Sequence, residues 1–228
     1  MEQLFGKISL IIHIIAGVST LIAGPVAIFY NFKDRRKHRL AGNIFFYAML
    51  VVCVSAWMGY VKRPDQPFFQ FLLGVAMIVL ASVLRGVRAM QFMKNLRKPG
   101  GFDIAYTVLL GLTGMWLLSR SLWHFEHGTM IAMPILFGVF GVMALSDTVK
   151  NSRLFLMKQA VSGLDWYRLH VGSMLGAFTA STTAFTVNAA TFLPWYLQWF
   201  GPMLAIVPLQ IYFGRKLRRR PDTAIPVA

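Results

Sequence analysis

The chain has 228 residues, of which 57% are hydrophobic and only 14% are charged, and 23 lysines and arginines against 8 acidic residues give a net charge of +15. Soluble domains carry about 25% charged residues, so this composition excludes an ordinary soluble domain and favours a polytopic membrane protein. The positive charge alone would also suit nucleic-acid binding, but its distribution along the chain argues against that partner.

In chain order, the apolar runs predict seven transmembrane helices, at about 8–30, 40–61, 68–90, 103–123, 129–147, 170–192 and 197–214. Each run is near the ~20 residues that cross the hydrocarbon core as a helix. Lipid offers no partners to open backbone groups, so these runs should be helical. The alternating segments typical of a β-barrel are absent. We therefore expect one all-α domain of seven transmembrane helices over residues 1–228.

Basic residues cluster on alternate connections: after the first, third and fifth spans and in the C-terminal tail. The exceptions are Lys7, Lys62, Arg63 and Arg120. This asymmetry follows the positive-inside rule, so it predicts an outside N-terminus and a cytoplasmic C-terminus. It favours membrane lipid over nucleic acid as the partner of the cations, with binding of anionic lipid or another polyanion left open.

Two helices carry a histidine on a stripe of small and polar residues. In the first helix the stripe from His13 runs through Gly17, Thr20, Gly24, Ala27 and Asn31, and in the sixth the stripe from His170 runs through Met174, Ala177, Ser181, Ala184 and Asn188. Small faces pack against neighbouring helices, so both histidines should point into the bundle. Gly172 and Gly176 predict that the sixth helix is central and closely packed.

The connections on the cytoplasmic side contain two predicted helix starts and one ambiguous segment. Asp103 is the predicted N-cap of the fourth helix, and Asp165 that of the sixth. The segment "TVKNSRLFLMKQAVSG", residues 148–163, suits either an amphipathic helix on the inner membrane surface or a solvated basic loop.

The five histidines sort by predicted depth into two groups. His13, His124 and His127 lie near the outer surface together with Glu126, and His38 and His170 lie near the inner surface. The outer group would suit a transition metal. Pairs of imidazoles at each surface would suit b-type haems. A proton relay is a third use. Structural roles, such as a bond to a neighbouring hydroxyl, stay open for each ring.

Part of the chain resembles a family of uncharacterised bacterial multi-pass membrane proteins. The resemblance lies in Gly24-Pro25 and in the HR-x-x-G element of His38, Arg39 and Gly42, and in the sixth helix it continues at His170, Met174, Gly176, Ala177, Thr183, Ala184, Phe185 and Asn188. It implies a bacterial inner-membrane protein and directs attention to His13, His38, His170 and Asn188. It implies no reaction.

Three functional hypotheses follow. The first is a small membrane redox protein in which His13 pairs with His124 or His127 and His38 pairs with His170, around haem b or a transition metal, with a redox protein or quinone as partner. The second is a solute transporter or sensor with a polar track of Thr20, Ser181, Thr183 and Asn188. The third is a metal-dependent hydrolase at the outer histidines. No catalytic residue is predicted, and homo-oligomers through the small-residue faces stay open.

Overall fold

The structure, a computed structural model, describes residues 2–128, 131–155 and 162–218. These ranges form seven helices and no strands, which confirms the all-α prediction. The helices are α1 (Glu2–Tyr30), α2 (Arg35–Lys62), α3 (Pro67–Met93), α4 (Gly101–Glu126), α5 (Ala132–Phe155), α6 (Gly163–Ala189) and α7 (Trp195–Arg218).

Five of the described helices, α1 to α5, are long and apolar enough to cross a membrane. Such a set is typical of a multi-pass membrane protein, because each span must satisfy its own backbone groups in lipid. The sequence of α6 is rich in serine and threonine, and α7 contains Pro202 and Pro208. Among the described residues, neither of these two helices has an 18-residue stretch that meets the criterion that α1 to α5 meet.

Some helix ends differ from the predicted ones. α5 continues to Phe155, so residues 148–155 belong to that helix rather than to a separate surface helix; residues 156–161 lie outside the described residues. The N-caps are Gly100 and Ser162, which corrects the assignment of Asp103 and Asp165. Both aspartates stand three residues after the cap, where a carboxylate still stabilises the first turn.

α3 is the central helix of the described bundle, since it packs against α2, α4, α5 and α6. α1 packs on α2 and, less extensively, on α6, while α4 pairs with α5 and α6 pairs with α7. The histidines of α1 and α4 are therefore carried by helices with different neighbours. The start of α2, the last turns of α3 and the first turns of α6 are brought together.

Glycines let α4 and α5 approach closely. A Cβ on Gly114 would lie 3.1 Å from the backbone nitrogen of Leu145, and a Cβ on Gly141 would lie 3.1 Å from that of Leu118. By contrast, a Cβ on Gly172 would meet nothing within 4 Å, and one on Gly176 would only touch Ser82 at 3.8 Å. The expected close packing at the α6 glycine pair is therefore wrong, and the tightest helix contacts lie elsewhere.

Gly114→Ala should lower the thermal unfolding temperature of the purified protein, because its methyl group would press on the α5 backbone. Overpacking of this kind costs roughly 1–3 kcal/mol. Gly172→Ala is the matched control and should leave the transition unchanged. Equal transitions for the two variants in the same detergent would contradict the packing described here.

Candidate functional site

His38 lies in the first turn of α2. The helix begins at Arg35 because the Asp34 carboxylate accepts hydrogen bonds from the backbone N–H groups of Arg36 and Lys37. Nδ1 of His38 lies 2.8 Å from the carbonyl oxygen of Ala27. That carbonyl belongs to the last turn of α1, where backbone acceptors lack a full set of intrahelical donors. The ring therefore joins the end of α1 to the start of α2.

His170 on α6 is held by the same kind of hydrogen bond. Its Nδ1 lies 2.9 Å from the carbonyl oxygen of Gly86 in α3. Gly86 permits this approach, because a Cβ at that position would lie 2.7 Å from the terminal methyl group of Met174 on α6. The ring of Tyr167 stacks near His170 at a centroid distance of 6.3 Å, and the Tyr167 hydroxyl donates to Asn31 on α1.

The His38 and His170 rings lie 6.4 Å apart between their centroids, at an interplanar angle of 76°. A carbonyl oxygen can only accept, so Nδ1 carries the proton on both rings. In a neutral imidazole this leaves Nε2 with its lone pair. Within the described part of the chain, neither Nε2 atom takes part in a hydrogen bond. The predicted inner pair is thus close together, with both rings fixed in one tautomer.

Both histidines line a cavity of about 350 Å³ between α1, α2, α3, α6 and α7. Most of its wall is apolar, with Phe45 and Phe178 among the contributors, while Arg39 and Lys94 stand among its few polar residues. The volume falls within the range of about 300–1,000 Å³ found for ligand sites. An apolar cavity with two converging imidazoles can accept an apolar group that carries a metal.

His13 points inward, as predicted. Its Nδ1 lies 2.7 Å from the Ser55 hydroxyl on α2, while the flanking Ile12 and Ile14 are exposed on the surface that would face lipid. This is the structural role that the sequence left open for this ring. Ser55 in turn donates to the carbonyl of Val51.

The other two outer histidines belong to the α4 end. His124 is buried and stacks on Phe137 of α5 at 5.2 Å, whereas the exposed His127 stacks on Trp123 at 4.3 Å. No ring contact joins His13 to either of them among the residues that the structure describes. The predicted outer pair is therefore not formed, because α1 packs on α2 and α6 while α4 packs on α5 and α3.

The predicted outer metal site of His13, His124, His127 and Glu126 is not assembled either. Across residues 2–128, 131–155 and 162–218, no group of three or more His, Cys, Asp or Glu residues is placed to hold a metal ion. Glu126 is exposed at the last position of α4. A metal bound by protein ligands alone would usually require three or four such groups.

The predicted polar track is divided. Thr20 and Ser181 share a hydrogen bond between α1 and α6, and Ser181 also contacts the sulfur of Met49 at 3.6 Å. Thr183 is buried on another face of α6, and exposed Asn188 donates to the Ala184 carbonyl of its own helix. The first two residues join helices, and the four do not make one continuous path.

A buried charged network adjoins the site, and the sequence interpretation missed it. Arg85 is 7% exposed and donates to Ser173 on α6, to Asn151 on α5 and, at 2.9 Å, to the Asp147 carboxylate. The charge count along the sequence groups Arg85 with the basic connection after the third span. The position of Arg85 within the third span could have indicated the network. Arg85 lies eight residues before the end of α3, and ionisable groups within spans usually have a partner or a function.

Comparison with known proteins gives no match to a protein-family model, a curated protein or a solved structure. The functional argument therefore rests on the site itself.

The hydrogen bond between Thr20 and Ser181 should contribute a small, measurable coupling to stability. We expect Thr20→Val, Ser181→Ala and the double variant to give a coupling free energy of about 0.6 kcal/mol, the average for such bonds between membrane helices. A thermodynamic cycle in unfolding experiments measures this term. Strictly additive effects of the two substitutions would contradict the contact.

Proposed function

We propose that the protein is a small membrane redox protein in which His38 and His170 bind a b-type haem between α2 and α6. One observation carries the proposal: two imidazoles from different helices face one apolar cavity, each with Nδ1 bonded to a backbone carbonyl. Imidazoles that hold metals are oriented by this same kind of hydrogen bond, which fixes the tautomer and raises the basicity of Nε2.

The separation of the rings is compatible with this assignment. A metal about 2 Å from each Nε2, with one ring radius added on either side, separates two ring centroids by about 6 Å. The observed separation is 6.4 Å. Aromatic rings in direct contact also lie about 4.5–7 Å apart between their centroids, so the observed distance fits a metal between the rings and an edge-to-face ring contact equally.

The number of ligands favours haem over a bare ion. A protein-bound zinc ion takes about four ligands, and the described residues place no third His, Cys, Asp or Glu beside the pair. Haem iron needs only axial ligands from the protein, because the macrocycle supplies the other four. The apolar wall suits the macrocycle, and the cationic Arg39 and Lys94 in the lining suit its carboxylates.

The charge pattern supports a topology for this function. With seven spans, an outside N-terminus and a cytoplasmic C-terminus, the basic connections and the His38–His170 cavity lie on the cytoplasmic side. The bacterial inner membrane is the location implied by the resemblance in the first, second and sixth helices. The redox partner would then be a cytoplasmic protein or a quinone in the inner leaflet.

Purified protein, produced in cells supplied with a haem precursor, should show the Soret band of a low-spin haem with two histidine ligands. His38→Gln and His170→Gln should each abolish that signature, because one axial ligand is lost. His127→Gln is the matched control, since this exposed ring lies at the far end of α4, and it should leave the spectrum unchanged.

A colourless preparation that stays colourless after titration with haem would sink the proposal. Metal analysis separates the nearest alternative: copper bound without haem, lost in both His38→Gln and His170→Gln, would replace the haem assignment with a two-histidine copper site.

The topology has its own test. A C-terminal green fluorescent protein should fluoresce, because the positive-inside pattern places that end in the cytoplasm, and a C-terminal alkaline phosphatase should be inactive. The reverse pair of activities would show an even number of spans or an inverted orientation.

A further inference from the structure

Arg85 is the buried centre of a polar network that ties three helices together. Its guanidinium donates from α3 to Ser173 on α6, and to Asp147 and Asn151 on α5. Asn151 is completely buried, and its side-chain nitrogen has no hydrogen-bond partner among the described residues. A buried donor without a partner is unfavourable, so this amide is held in the orientation that serves the guanidinium.

The network adjoins the residues that orient His170. Arg85 is the chain neighbour of Gly86, whose carbonyl accepts from His170, and Ser173 lies one helical turn after His170. A third bond, from the Ser82 hydroxyl to the Ser173 carbonyl at 3.3 Å, joins the same two helices. α6 is thus attached to α3 at two levels, one turn apart, and the histidine is at one of them.

Such an attachment matters because apolar packing alone sets helix register weakly in lipid, where the surroundings are as apolar as the contact. A shift of α6 by one residue moves it about 1.5 Å along its axis, enough to break the 2.9 Å bond between His170 and Gly86. Without that bond the ring is free to rotate or to change tautomer, and Nε2 no longer faces the cavity in one orientation.

We propose that Arg85 is a positioning residue for His170: bound to Ser173 and braced by Asp147 and Asn151, it fixes α6 in the register at which the His170 ring bonds Gly86 and presents Nε2 to the cavity. The inference rests on the proposed function for its consequence, which is metal-group binding. The hydrogen-bond geometry itself is testable without any cofactor.

A matched control lies one turn away on the same helix. Arg88 also forms a partly buried ion pair, with both oxygens of Asp103 on α4, and donates to Gln91. In the described structure Arg88 makes no hydrogen bond to α6. Loss of Arg88 should therefore reduce stability without moving His170, whereas loss of Arg85 should affect both.

The first measurement uses the full chain, labelled with ¹⁵N-histidine and reconstituted in lipid nanodiscs without haem. His170→Gln identifies the His170 signals. In the wild type and in Arg88→Gln we expect a single tautomer of His170 with the proton on Nδ1. In Arg85→Gln and Ser173→Ala we expect mixed tautomers. Ser173→Ala removes only one hydroxyl group, so it still tests the positioning role if Arg85→Gln fails to fold.

The second measurement titrates the same four proteins with haem. Loss of a group that orients a metal ligand typically weakens binding about 10–100-fold, so Arg85→Gln and Ser173→Ala should weaken haem binding by a factor in that range. The low-spin spectrum should be lost in part. Arg88→Gln should bind as the wild type does.

The outcomes separate the two proposals. A single Nδ1–H tautomer in both Arg85→Gln and Ser173→Ala, or mixed tautomers in Arg88→Gln as well, would overturn the positioning role. A wild type that shows the expected tautomers but takes up no haem would overturn the proposed function and leave the positioning role standing.

Discussion

Helices in lipid gain nothing by hiding apolar side chains from one another, so a few close steric contacts and buried polar bonds determine which helices meet. In this protein several of those contacts involve α3. Its Gly74 admits Leu117 of α4, its Gly86 admits Met174 of α6, and its Arg85 binds both α5 and α6. The position of α6, and with it the direction of His170, depends on this set of contacts.

The same constraint explains why the site lies where α1 and α3 end and α2 and α6 begin. Carbonyls in the last turn of a helix lack donors, and Ala27 offers such an acceptor to His38. Ring pairs join α2 to α6, with Phe45 and Phe178 at a centroid distance of 6.5 Å and His38 and His170 at 6.4 Å. The space left between the two backbones is the cavity that the two imidazoles share.

Local patterns in the sequence predicted what depends on local physics. The lengths of the apolar runs predicted the helices. The stripe of small residues around His13 predicted that its ring points inward, and the predicted depth of His38 and His170 placed them together near one surface. The predictions that failed depend on contacts between residues that are distant in the chain. The outer histidines belong to helices that do not pack together, the α6 glycines make no tight helix contact, and Arg85 finds its partners on α5 and α6. Charge counting placed Arg85 in a connection, because a buried cation with a remote partner resembles a loop residue in sequence.

The location of the site also limits the kind of redox work that the proposed function allows. A chain that carries electrons across a hydrocarbon core about 30 Å thick needs a second centre near the opposite surface. The described residues offer none, since His13 is bonded to Ser55 and the α4 histidines pack on Phe137 and Trp123. A single centre at the cytoplasmic end would therefore exchange electrons within the inner leaflet or with a cytoplasmic partner. In that proposal α6 must keep its register on α3, and the buried Arg85, which stands next to the carbonyl that orients His170, would hold it there.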